Sequence, residues 1–284
     1  MAVFLTGDTH GGSDIGKVRD FSRAATGHLS REDHLIILGD FGLVWSDPPS
    51  RQETQLLDWL DAQPWTTLFI DGNHENFDQL DAMPPHAWHG GLVHEVRPHV
   101  LHLMRGETFE IGGHSFFALG GAHSIDREWR TPHRSWWEQE VPDARQRERL
   151  ASRVAKIDSV DYVLTHCPPT GCYEWYRSRF PRFWGPSDEY TDWLEEHVEG
   201  AFTYRRWFYG HLHFDLPLDE PHTLLFNQVF DLDGTGLTTY GTAMGLCQDG
   251  QPHAFELGYD APKPGERHGR SFYRCARCGM RLER

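Results

Sequence analysis

Short, nearly continuous apolar runs recur along the chain at residues 2–6, 34–38, 66–70, 161–165 and 206–209. A run of this length with no polar alternation is the pattern of a strand buried on both faces. Between the runs, apolar residues recur at helical spacing over about 16–26, 51–62, 142–157 and 187–198. Strand–helix alternation of this kind predicts an α/β architecture. A different texture fills 92–121, where 92–96, 100–104, 108–111 and 115–119 are separated by Arg97-Pro98 and Gly112-Gly113. These segments predict antiparallel hairpins, and 224–232 predicts one further strand. The fold expected is two mixed β-sheets packed as a sandwich and flanked by helices.

Each of the five buried runs ends in a turn that carries potential ligands. The turns read Gly7-Asp8-Thr9-His10, Gly39-Asp40-Phe41-Gly42, Gly72-Asn73-His74-Glu75, His166-Cys167-Pro168 and Gly210-His211-Leu212-His213. In open α/β sheets ligands bind beyond the carboxyl ends of the strands, so these side chains are expected on one rim. Asp8, His10, Asp40, Asn73, His166, His211 and His213 offer only oxygen and nitrogen donors. Seven donors exceed a tetrahedral structural zinc and suit two cations roughly 4 Å apart that share a carboxylate. Glycine before Asp8, Asp40, Asn73 and His211 is expected to supply backbone angles closed to other residues.

Composition narrows the partners. Of 284 residues, 38% are hydrophobic and 24% charged, the balance of a globular chain. No stretch approaches the roughly 18–20 apolar residues that span a bilayer, and the first residues have no basic segment of a secretory signal. A cytoplasmic protein with no membrane partner is expected. The net charge of -15 argues against a broad nucleic-acid face. The 19 His exceed what packing requires, which strengthens the ligand reading. His34, His86, His89, His94, His99, His102 and His114 have no ligand spacing and read as structural.

The composition changes near 233, dividing the chain into a domain over 1–232 and an extension over 233–284. Residues 262–284 hold seven Lys and Arg against two Glu, a charge of +5. Cys275 and Cys278 form a single CxxC, half of a zinc-ribbon signature. The extension is thus read as a partial zinc ribbon holding a structural Zn2+, with Cys247, His253 or His268 as further ligands, or as a flexible tail. Cys167 and Cys172 read as buried small side chains.

The five turns, in this order, resemble the calcineurin-like metallophosphoesterase superfamily, whose blocks are D-x-H, G-D, G-N-H-[DE], H and G-H-x-H. The likeness spans residues 8–213 and implies that superfamily's four-layer fold. It implies that Asp8, His10, Asp40 and His213 hold one cation. Asp40 bridges to a second, held also by Asn73, His166 and His211. The ions implied are Mn2+ or Fe, with Zn2+ the alternative, and a water or hydroxide between them is the nucleophile. His74 then stabilises the transition state or protonates the leaving group, oriented by Glu75 or Asp71. His123, Arg127 and Arg130 are candidate substrate-binding residues, the last two in a segment that includes His133, Arg134 and three Trp. Around Asp40, Asn73, Trp88-His89-Gly90-Gly91 and Ser135-Trp136-Trp137 the chain is similar to a group of bacterial and phage metallophosphoesterases. It departs from the protein serine/threonine phosphatases and the symmetric dinucleoside-polyphosphate hydrolases. Their G-D continues x-x-D-R-G, whereas Asp40 is followed by Phe41-Gly42-Leu43-Val44, without the phosphate-clamping Arg.

The function expected is hydrolysis of phosphate mono- or diesters of small molecules, nucleotides or phosphoproteins. A nucleotide or nucleic-acid phosphodiesterase, recruiting its substrate through the basic tail, is the alternative within the class. A metal-bound binding or scaffold module without turnover is the alternative outside it.

Overall fold

Residues 1–179, 186–217 and 221–235 are described in the computed structural model of the chain, with backbone strands at 239–240, 255–260, 270–275 and 281–283. β1 (Val3–Thr6), β2 (His34–Leu38) and β3 (Thr66–Ile70) form where the apolar runs predict. They lie side by side in parallel register, with His34 opposite both Val3 and Thr66. The 92–121 segment supplies β5 (Gly91–Arg97), β6 (Val100–Leu103), β7 (Glu107–Ile111) and β8 (His114–Leu119), after an unpredicted β4 (Pro85–Trp88). β9 (Tyr162–Thr165) and β10 (Arg206–Tyr209) follow. β11 (Leu216–Pro217), β12 (His222–Leu224), β13 (Gln228–Asp231) and β14 (Thr239–Tyr240) complete two sheets.

The larger sheet has the order β14-β13-β1-β2-β3-β6-β5-β4 and the smaller β11-β12-β10-β9-β8-β7. Both are mixed: four parallel central strands carry antiparallel strands at their edges. The two predicted hairpins therefore join different sheets. The single strand predicted over 224–232 is two strands, one in each sheet. The cause is Asp215, whose carboxylate accepts the backbone N–H groups of Phe226, Asn227 and Gln228 at 2.8–2.9 Å. Those three groups are thereby turned away from a ladder and the chain bends between β12 and β13.

Side chains alternate between two cores along each strand, as strand geometry requires. Val3, Leu5, Ile36, Leu38, Leu68 and Ile70 pack with Phe116, Ala118, Tyr162, Leu164 and Phe208 in one cluster shared by both sheets. On the other face of the larger sheet, Phe4, Leu35, Ile37 and Phe69 pack with Val18 and Phe21 of α1 (Gly16–Ala24) and Leu56, Leu57 and Leu60 of α2 (Arg51–Asp61). α3 (Phe77–Leu80) is a single short turn. On the other face of the smaller sheet, Phe117, Val163, Trp207 and Tyr209 meet α4 (Ala144–Val154), α5 (Thr170–Arg179) and α6 (Glu189–His197). The order is helices, sheet, sheet, helices. Capping boxes at Ser50/Glu53, Asp143/Gln146 and Asp188/Thr191 start three of these helices.

Beyond residue 232, β14 extends the larger sheet. β15 (Phe255–Asp260), β16 (Arg270–Cys275) and β17 (Arg281–Glu283) form a three-stranded antiparallel sheet. Cys275 closes β16 opposite Phe255, while Cys247, His253, His268 and Cys278 lie outside the described residues. Cys167 and Cys172 are buried. Among the described residues no helix is long and apolar enough to cross a membrane.

Candidate metal centre

The turns after β1, β2, β3, β9 and β10 converge, although they belong to two sheets. Asp8, His10, Asp40 and His213 each offer one donor atom, and these atoms lie within 4.8 Å of one another. His10 Nε2 is 3.2 Å from Asp40 Oδ2, and His213 Nε2 is 3.0 Å from Asp8 Oδ2. Asp8 Oδ2 accepts no hydrogen bond despite that closeness. The two atoms stand side by side, as ligands of a common ion do.

The remaining predicted ligands adjoin this group. His166 Nε2 is 3.2 Å from Asp40 Oδ1, and the His166 and His211 ring centres are 4.9 Å apart. His166 Nδ1 donates to the Leu38 carbonyl at 2.7 Å. That fixes a lone pair on Nε2 in the neutral ring, and Nε2 is buried with no hydrogen-bond partner. Asn73 points its amide nitrogen at Ser124 Oγ, 3.2 Å away, and its buried Oδ1 is likewise without a partner. Buried atoms left without a hydrogen bond on three converging turns are costly unless something binds them. A hard or borderline cation fits all three.

Glycine has a different task from the one expected. Of the four glycines preceding Asp8, Asp40, Asn73 and His211, only Gly39 has a left-handed backbone, φ 88°. The others serve space. A Cβ at Gly72 would stand 2.1 Å from Asp40 Oδ1 and one at Gly210 2.3 Å from Asp8 Oδ1. The left-handed conformation also falls on the predicted ligands themselves: His10 (φ 41°), Asp40 (47°), His211 (67°) and His213 (57°). Such strain in non-glycine residues persists only where the surroundings enforce it.

Charge in the cluster is mutually arranged. Burial alone would raise the pKa of Asp40, but His166 and His10 hold its carboxyl well below the usual range. Burial opposes a proton on His10, yet Asp14 and Asp40 outweigh it and raise its pKa to about 10. For His166 the Asp40 and Asp8 carboxylates likewise overcome burial and raise the value to about 9. The two buried carboxylates thus demand positive charge here. Protons on His10 and His166 supply it in the bare chain, and a cation that displaces them supplies more.

Several supporting residues lay beyond sequence reasoning. Asp14 Oδ2 is 2.7 Å from His10 Nδ1 and aims the opposite ring nitrogen at the cluster. Buried Lys17 donates to the carbonyls of Asp8 and Phe226 and sits 4.4 Å from the Phe226 ring centre. Phe226 in turn stacks on His213 at 4.7 Å. Ser124 Oγ donates to Glu140 Oε2 at 2.6 Å, fixing the acceptor that orients Asn73. Only Asp14, four residues from His10, carried a readable signal, the i,i+4 spacing.

His74 is oriented by neither carboxylate considered. Asp71 accepts from Arg105 and contacts His102, and Glu75 accepts the backbone N–H of Phe41 and Gly42. The His74 ring meets Arg130 instead, with Arg130 Nη2 3.0 Å from His74 Nε2. Burial lowers the pKa of His74 and Arg130 lowers it further. Arginine only donates, so Nε2 carries the lone pair and the neutral ring holds its proton on Nδ1. Arg130 also pairs with Asp126 and donates to the Ser135 carbonyl. His123 stands 3.9 Å from Glu140, and Arg127 is exposed on the short turn Arg127–Trp129.

No protein-family model and no curated protein matches the chain. One solved structure is similar over 82% of this chain and 96% of its own length, with a TM-score of 0.45 and 11% identity. A likeness at that level carries no argument about family or function.

Proposed function

We propose that the chain is a dinuclear metal-dependent phosphoesterase of the calcineurin-like type, hydrolysing phosphate esters of small molecules, nucleotides or phosphoproteins. The observation that carries this reading is the group Asp8, His10, Asp40 and His213, whose donor atoms lie within 4.8 Å of one another, together with Asp8 Oδ2, His166 Nε2 and Asn73 Oδ1, buried without a hydrogen bond on the converging turns. The helix–sheet–sheet–helix order is the one this fold requires. Asp8, His10, Asp40 and His213 would hold the first cation, and Asp40, Asn73, His166 and His211 would hold the second. When bound, two divalent ions stabilise charge on the phosphoryl oxygens and make water a nucleophile near neutral pH. The remaining work belongs to the chain. Asp14 and the Leu38 carbonyl keep the ligand tautomers of His10 and His166. His74, its ring 5.2 Å from that of His10, offers its Nδ1–H as a hydrogen-bond donor to the negative charge that develops on the phosphoryl and leaving oxygens. Arg130 holds His74 in place.

Metal analysis and turnover test this reading together. Two equivalents of Mn2+ or Fe are expected per chain, with metal-dependent hydrolysis of p-nitrophenyl phosphate or its bis-ester. Free Mn2+ at a hundredfold over its Kd should stabilise the fold by about 2.7 kcal/mol in thermal unfolding. Stoichiometric metal with no turnover on either ester would leave a binding module and sink the enzyme reading.

A further inference from the structure

Beside His10 and His74 opens a cavity of about 350 Å³. Ser13, Trp45, Ser46 and Gln52 give it polar and aromatic walls, and Leu43 and Leu56 give it apolar surface. The space exists because side chains are missing at particular positions. A Cβ at Gly12 would stand 2.5 Å from Gln52 Nε2, and Gly11 and Gly42 occupy left-handed backbone at φ 62° and 65°.

The cavity's aromatic wall is held firmly. The Trp45 N–H donates to Glu53 at 2.8 Å, and its carbonyl accepts from Asn76 Nδ2 at 2.6 Å. Its ring packs edge-on against Trp137 at 5.3 Å. An aromatic face fixed in this way loses little entropy on receiving a ring. The charge lining is equally informative. Glu53 is the cavity's one carboxylate, and it is saturated by the N–H groups of Trp45, Ser46 and Ser50 at 2.7–2.9 Å. Among the described residues no Lys or Arg lines the space. Away from the His10 side of the cavity, a polyphosphate chain or a nucleic-acid backbone would be desolvated with no Lys or Arg to pair with. A neutral planar group with hydrogen-bonding edges would meet Trp45 with its face and the hydroxyls and Gln52 amide with its edge.

We infer that this cavity is the subsite for the organic part of the substrate, and that it takes the uncharged ring-bearing alcohol of a phosphomonoester, of the nucleoside class. The inference rests on the phosphoesterase reading for the position of the phosphate, which then lies at the ligand cluster with its ester oxygen toward the cavity and His74. The reading excludes diesters of a nucleic-acid strand from this subsite.

The test uses phosphate-free nucleosides, so that binding is read apart from hydrolysis. Adenosine and uridine are titrated calorimetrically into the full-length, Mn2+-loaded protein. At least one should bind saturably, about tenfold more weakly in Trp45→Ala, the loss expected for one stacked base. Gln52→Ala alters an exposed helix residue and guards against misfolding of the Trp variant; it should weaken binding about fivefold. Gly12→Val fills the space and should abolish binding. In hydrolysis, Trp45→Ala should lower the preference for a nucleoside monophosphate over methyl phosphate about tenfold. Absence of saturable nucleoside binding, equal binding by all variants, or displacement of nucleoside by inorganic triphosphate with metal in excess would each overturn the inference. Nucleoside binding without any ester hydrolysis would keep the subsite and sink the enzyme reading; methyl phosphate hydrolysis without nucleoside binding would do the reverse.

Discussion

Two buried clusters of histidine and carboxylate lie on either side of the turn after β3, and they are built on opposite rules. On one side stand Asp8, His10, Asp40, His166 and His213; on the other Asp71, His94, His102 and Arg105. In the second cluster every contact closes on another. Arg105 donates to Asp71 at 2.7 Å, His102 Nε2 meets Asp71 at 3.1 Å, and the Nδ1 atoms of His94 and His102 are 3.1 Å apart. In the first cluster Asp8 Oδ2 and His166 Nε2 stand 3.0 and 3.2 Å from His213 Nε2 and Asp40 Oδ1 without forming a hydrogen bond, and His10 and Asp40 carry left-handed backbone. Both combine histidine with buried aspartate, but only the second includes an arginine. Residual demand separates them: a satisfied polar network fixes structure, and an unsatisfied one on strained backbone marks a ligand site.

The largest expected effect falls on Asp40, the carboxylate shared by both proposed cation positions. Asp40→Asn keeps an oxygen for the His74 N–H, which Asp40 Oδ1 accepts at 2.8 Å, and removes only the charge. Metal-dependent hydrolysis should fall roughly a thousandfold or more, the scale of several kcal/mol of transition-state stabilisation. Wild-type turnover by this variant would end the contrast between the clusters. The converse substitution is Arg105→Met, which leaves the Asp71 carboxylate buried with only His102 beside it. It should destabilise the fold by about 3–5 kcal/mol in urea unfolding. A cost under about 1 kcal/mol would show that the second cluster is not the structural one.

Much of this contrast was readable in the sequence, and the unread part has a common physical cause. Strands β2, β3 and β10 match their predicted bounds because each is apolar on both faces and stops at a glycine turn. Strand β4 escaped notice because its residues alternate between exposed and half-buried and begin with Pro85. Helix α5 follows Pro168-Pro169, which signals a turn, and its Cys172, Tyr173 and Tyr176 are too few to show a helical face. The proposed ligands were visible because the backbone itself delivers them to strand ends. Their supports were not, since Ser124 reaches Asn73 across 51 residues and Arg130 reaches His74 across 56. Local pattern encodes what the backbone delivers, whereas such cross-chain contacts exist only once the two sheets have closed. Of the glycines before the predicted ligands, Gly39 has the backbone angle expected and the other three serve space, because sequence shows a missing Cβ but not whether angle or space requires it.

A smaller effect sharpens the comparison through pH. Burial, and then the neighbouring His102, lower the pKa of His94 to about 4, from the ordinary 6.5. The unfolded chain therefore binds more protons than the folded chain between pH 4 and 6.5. Stability contributed by the neutral ring is fully present above pH 6.5 and is lost as pH falls toward 4. The ligand cluster behaves differently in the absence of metal. His10 and His166 keep their protons up to about 10 and 9, so their contribution grows as pH falls through 6.5 and opposes that of His94, whereas His211, lowered to about 3 by burial and then by His166, adds to the fall. Urea unfolding in EDTA between pH 7 and 4.5 should then show a fall in stability that shrinks by about 1 kcal/mol in His94→Asn. An identical fall in that variant would remove His94 from the account. With Mn2+ present the wild-type fall should steepen, because acid then also drives protons onto the ligands in competition with the ion. An equal slope with and without Mn2+ would mean that the first cluster titrates without reference to a metal, and the difference drawn between the two clusters would lose its chemical basis.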